Sequence, residues 1–154
     1  MSGLINGAGS RSGVIGTTEL DYEEGEWTPA WTSTSATPSV VSMLGNYTRI
    51  GNICNFGCTL YTNGMSGTLT NAAYVTGLPF TSSANARDSA VVITTTFQVY
   101  FLSGRTFFGG EAVASDTKLF ICQLGDDLLN TSITPAQLAD TQCIFQVAGW
   151  YKIG

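Results

Sequence analysis

GNYTRIGNICNFGCTL, residues 45–60, is the stretch whose reading decides the fold. Residues 46–50 and 53–62 have strand character, and Gly51-Asn52 between them is a two-residue connection of the kind that closes a tight antiparallel hairpin. After the turn, Cys54, Phe56, Cys58 and Leu60 recur with period two, so they line one face and point to the core. Tyr47 is placed to pair across the hairpin, and Arg49 is a candidate for an ion pair with a neighbouring subunit.

Outward from this hairpin the same pattern continues. Upstream, in residues 26–32, Trp27, Pro29 and Trp31 alternate with polar or small residues, which puts both tryptophans on one side; the proline suits an edge strand. Downstream, strand-like runs at 68–76, 90–102, 106–114, 117–124 and 142–153 are each bounded by Gly, Asn, Asp or Ser. The run 90–102 is long for one strand, so a bend or bulge is expected in it. Thr134-Pro-Ala-Gln137 reads as an N-cap, a proline at the first helical position and a glutamine at the third, marking one short helix. Roughly eight strands at such spacing with one helical turn predict an all-β, antiparallel β-sandwich or jelly-roll-like domain over residues 21–154. No internal repeat supports a propeller or solenoid.

Composition agrees. Of 154 residues, 21 are threonine, 14 serine, 18 glycine and 8 asparagine, a stock for strands and turns rather than helices. Six basic and eleven acidic residues leave net −5, but Glu19, Asp21, Glu23, Glu24 and Glu26 cluster before Trp27 and the remainder is nearly neutral. This acidic run reads as a solvated linker. With no basic stripe to neutralise phosphates, nucleic acid and anionic membrane surfaces are poor partners. No stretch approaches the roughly 18 apolar residues of a membrane helix, and residues 1–13 do not read as a secretory signal, so the chain reads as folded in a cytoplasm.

The chemistry of sites is sparse. There is no histidine, which removes Ser-His-Asp and Cys-His nucleophile systems and His-containing zinc sites. Cys54 and Cys58 share a strand face but stand roughly 13 Å apart along it, too far to hold one ion. No metal or other cofactor is expected, and the thiols of Cys54, Cys58, Cys122 and Cys143 are expected to stay reduced. The adjacent pairs Glu23-Glu24 and Asp126-Asp127 point to opposite sides of an extended chain, unlike the facing carboxylates of a glycosidase. No catalytic residue is assigned, and the protein is not expected to be an enzyme.

Four strings together carry a resemblance: LDYEEGEWTPAW at 20–31, GNYTRIGNICNFGCTL at 45–60, GLPF at 77–80 and IFQVAGWYKI at 144–153. In order and spacing this chain resembles the head domain at the C-terminus of bacteriophage tail fibres and tailspikes. The resemblance covers residues 20–154 and implies a homotrimeric β-sandwich knob on a virion, assembled in the host bacterial cytoplasm.

Residues 1–20 read as a flexible Gly/Ser-rich arm with two apolar pairs, Leu4-Ile5 and Val14-Ile15, and Arg11 between them as candidate anchors to the virion. A knob with a short arm and no shaft points to a capsid decoration protein that binds the major capsid protein or other virion proteins. A mean hydropathy of +0.17 with 11% charge suggests apolar surface covered by self-association. The alternative is a receptor-binding tip for host cell-surface polysaccharide. Its candidate glycan or interface aromatics are Trp27, Trp31, Tyr61, Tyr74, Tyr100, Trp150 and Tyr151, because flat rings stack on sugars and enrich interfaces. On the decoration reading, deleting residues 1–20 leaves the knob folded and strongly reduces binding to empty capsids; undiminished binding by the truncated protein removes the arm as anchor.

Overall fold

The computed structural model describes residues 21–154 apart from 35, 68–70, 86, 126–127 and 139–141. The candidate anchors Leu4, Ile5, Arg11, Val14 and Ile15, and the Asp126-Asp127 pair, lie outside the described residues. Among those described, the strands in chain order are β1 (Tyr22–Trp27), β2 (Ala30–Thr32), β3 (Ala36–Ile50), β4 (Ile53–Gly67), β5 (Tyr74–Thr76), β6 (Ser89–Phe97), β7 (Phe107–Ala112), β8 (Lys118–Gly125), β9 (Leu128–Ser132) and β10 (Cys143–Lys152). They form one antiparallel sheet in the order β1-β3-β4-β10-β6-β7-β8-β5-β2, with β9 added beside β8.

Although β1 and β2 stand at opposite ends of that order, only Thr28 and Pro29 separate them in the chain. Two residues span less than about 10 Å, so the sheet must curl until its ends meet. Trp31 of β2 meets Phe145 of β10 edge-to-face at 5.4 Å, which puts the β2 end over the middle of the sheet. The result is the expected all-β, sandwich-like knob around one apolar core.

The decisive hairpin forms as expected. Ile50 pairs Ile53 around Gly51-Asn52, and Gly51 has φ 60°, which a first turn position of type II′ requires. Cys54, Phe56, Cys58 and Leu60 are all buried, and Phe56 and Leu60 each contribute roughly 1.5–3 kcal/mol of apolar burial. The bulge expected in the sixth strand lies at Thr94: Thr95 pairs Gln146 while Ile93 pairs Val147, leaving one residue over. That strand ends at Phe97, short of residue 102, because Gln98 takes φ 52° and leaves the pleat. Residues 135–138 form a 3-10 turn, in which Gln137 Oε1 accepts the Thr134 backbone N–H at 2.7 Å.

Three expectations change. The acidic run is not a linker but the edge strand β1, paired to β3 from Tyr22↔Ile50 to Trp27↔Gly45. Arg49 is engaged within its own chain, with Asp21 and Glu23 at its guanidinium and its plane 5.2 Å from the Phe80 ring centroid. The strand β9 falls between the runs 117–124 and 142–153, where no strand is expected.

Motif residues distant in sequence meet at one end of the core. The Trp27 indole lies against Gly45, where an added Cβ would sit 2.4 Å from Nε1, and its N–H donates to Asn46 O at 3.2 Å. Gly77 has φ 92° and a position where a Cβ would meet Thr28 O at 2.5 Å. Phe80 stacks edge-to-face on Tyr47, while the buried Tyr151 hydroxyl donates to Phe80 O and accepts from Phe80 N, each at 3.1 Å. Gly45→Ala therefore forces indole and backbone apart and destabilises the protein by about 1–3 kcal/mol in denaturant unfolding.

Candidate interaction surface

The aromatics singled out from sequence divide sharply. Trp27, Trp31 and Tyr151 are buried in the core and are withdrawn as glycan or interface residues. Tyr61 is half-buried on the outer side of β4, and Tyr74 is half-buried on β5. Tyr100 and Trp150 are exposed, at 57% and 40%.

The outer face of the central strands is neutral, and on it exposed apolar side chains alternate with Asn55, Thr59, Thr94 and Gln146. β3, β4, β6 and β10 together contain only two charged residues, Arg49 and Lys152. Arg49 alternates with the outward positions of β3, and Lys152 ends β10 against Asp88. Between them, cross-strand rows pair Trp150 with Asn55 and Ala90, Ala148 with Gly57 and Val92, and Ile144 with Tyr61 and Phe97. Val92 is 58% exposed and Leu44, across β4, is 70% exposed. The small residues Gly57, Ala90 and Ala148 keep this face shallow between its larger side chains.

At one end the face runs into the loop between β6 and β7, where Tyr100, Phe101 and Leu102 are exposed, followed by the exposed Phe107 at the start of β7. This display is fixed. The Leu102 N–H donates to Gln123 Oε1 at 2.7 Å, and Phe101 stacks on Phe108 at 4.3 Å, which in turn meets the core at Phe145. Sequence reading placed this loop inside a long strand and so missed it as a surface. The signal available was Val91-Val92-Ile93, apolar on both parities, which an antiparallel strand with one wet face does not need.

A second feature lies on the opposite layer. Thr32, Ser33, Thr34, Tyr74, Asp116 and Lys118 line a cleft of about 330 Å³. Lys118 donates to Asp116 at 2.8 Å and holds that carboxyl below the usual range, and the Ser33 hydroxyl is buried without a hydrogen-bond partner.

Glu23 and Glu24 point to opposite sides, Glu23 accepting from Tyr47 and Glu24 from Tyr22. No cluster of three metal-ligating side chains occurs among the described residues. None of the four cysteines forms a disulfide, and all are buried.

No protein-family model and no curated protein matches the chain. Among solved structures, it is similar to the Dettilon tailspike protein (gp208), with a TM-score of 0.71 and 15% identity over 85% of this chain and 24% of that one. The fold is one that a tailspike uses. That supports the resemblance read from the four strings at the level of the fold, without selecting a particular domain. The chain spans about a quarter of the tailspike's length.

Burial pushes the Cys58 thiol up to about 12 and raises Cys54 and Cys122 as well. Thiols whose folded pKa is raised stabilise the fold fully below their unfolded pKa near 9, and that stabilisation is lost as pH climbs toward the folded values. The thermal midpoint should therefore fall between pH 8 and pH 10.5. At pH 8 the native protein resists alkylation, and unfolding without reductant exposes four reactive thiols; four thiols reacting rapidly in the native state would contradict the packing.

Proposed function

We propose that this chain is a structural knob of a bacteriophage virion, homotrimeric and carried on the tail. The observation that supports this most is the likeness of 85% of the chain to a segment of a tailspike at TM-score 0.71. The physical features agree with it. A long antiparallel sheet curled on itself makes a rigid body, and a broad neutral outer face suits contact with other protein rather than with water. In this reading the protein holds and presents surfaces and performs no catalysis.

The position on the particle is the finer part of the proposal. A knob on the capsid exterior would need the same rigidity and the same trimer. The tail is favoured because the structural likeness is to a tail protein. The cleft beside Tyr74 adds a specific feature on the side of receptor contact: one aromatic ring, three hydroxyl-bearing residues and a paired carboxylate are a chemistry that suits saccharide hydroxyls.

Immunogold electron microscopy of intact phage, with antibody raised against the folded chain, separates the positions. Label confined to the tail, with densitometry giving a low copy number against the major capsid protein, is the expected result. Label spread evenly over the head at a copy number near that of the capsid subunits overturns the tail assignment in favour of decoration.

A further inference from the structure

We propose that the outer face of β10 and β6, continued by the loop between β6 and β7, is the surface through which copies of this chain bind one another. The proposal rests on the homotrimer reading above and names its interface.

Area is the first argument. Side chains of this class measure roughly 150–250 Å² for the aromatics and somewhat less for Val and Leu. At the exposures of Val92 and Trp150 on the sheet, and of the five from Phe97 to Phe107 at the loop end, the face shows on the order of 700 Å² of large apolar side chain. That summed area approaches the roughly 800 Å² that each partner gives to a standard protein interface.

Charge selects the occupant. The net charge of −5 is concentrated in the acidic cluster before Trp27, so two copies repel most where those clusters approach. The face lies away from that cluster: no charged residue occurs in β4 or β6, nor in β10 before Lys152, and the loop between β6 and β7 adds only Arg105. Its acidic border, Glu24 and Glu26 on β1, lies beyond β3 at the sheet edge, where it stays in solvent when the centres meet. A highly charged partner would find no counter-charge on this face.

Order is the third argument. The aromatic loop is held by hydrogen bonds and ring contacts to the body, so covering it costs little additional conformational entropy. Phe101, Phe107 and Thr94 also border a recess of about 240 Å³ that could receive a side chain from a neighbouring copy.

Sedimentation equilibrium of the full chain, beside Val92→Asp, Phe107→Asp and the off-face control Ala84→Asp, tests this. A wild-type and control mass three times 16.3 kDa, falling threefold in both face variants with their circular dichroism unchanged, is the expected outcome. If the face variants keep the trimer mass, this face is wrong while the trimer stands. If the wild type itself sediments at 16.3 kDa, the trimer reading fails and this interface with it. Acrylamide quenching needs no variant. Trp27 and Trp31 are buried within the chain and Trp150 lies on the face, so a covered face leaves all three shielded in the oligomer. One freely quenched tryptophan in an oligomer of the wild type overturns the proposal even where the aspartate variants do not fold.

Discussion

Thr28-Pro29 is the constraint on which the rest depends. These two residues join strands at opposite ends of the sheet order, so the chain cannot pair β1 with β3 and β2 with β5 unless the whole sheet rolls up. The link is seated in the core: Pro29 is fully buried, the Trp27 indole precedes it against Gly45, and Gly77 passes so close to Thr28 O that only hydrogen fits between them. Two glycines and a proline thus set where the sheet closes. Aromatic contacts such as Trp31 on Phe145 then fill the space that closure creates.

Rolling gives the sheet an inside and an outside. The inside takes one parity of each strand, as in Cys54, Phe56, Cys58 and Leu60 of β4 and Phe145, Val147 and Tyr151 of β10. The other parity would be free to carry charge, and on β1 it does. On β4, β6 and β10 it carries Thr, Asn, Gln, Gly, Ala and large apolar groups instead, with Lys152 the one charge, at the end of β10. That contrast within one sheet is not explained by the needs of the core, which sees only the inner parity. It is what a second contact surface would impose.

How far the sequence was legible follows from which signals were local. The hairpin at Gly51-Asn52 announces itself because turn chemistry and period two agree. The helical turn at residues 135–138 is legible for a similar reason, since the Thr134–Gln137 cap is a local hydrogen-bond pattern. The first ten residues of β3 were not read as strand because irregularities between Pro38 and Val40, and between Val40 and Ser42, break the alternation. β1 was hidden by its glutamates, which are poor strand formers until Tyr22, Tyr47 and Arg49 hydrogen-bond or pair with them. Among the candidate site residues, Trp27 and Trp31 were correctly placed on one side. Nothing local says whether that side is inside, and the partners that bury them, Gly45 and Phe145, come from other strands. The exposed loop aromatics are illegible for the converse reason: a phenylalanine looks like core until the register shows no sheet above it.

The acidic edge and the neutral face answer each other. β1 is an edge strand whose free backbone groups would template pairing with any extended chain, and carboxylates on such an edge oppose that pairing. Glu24 and Glu26 lie on the outer parity of β1, two strands away from the apolar rows of β4 and β10. Association edge to edge is therefore discouraged by like charge, while association face to face meets none until the rim. Edge pairing of a β-sheet is open-ended and builds fibres, whereas packing of one apolar face about a common axis closes on itself. On the proposed trimer, the segregation of charge along a single curled sheet would disfavour the first and leave the second open.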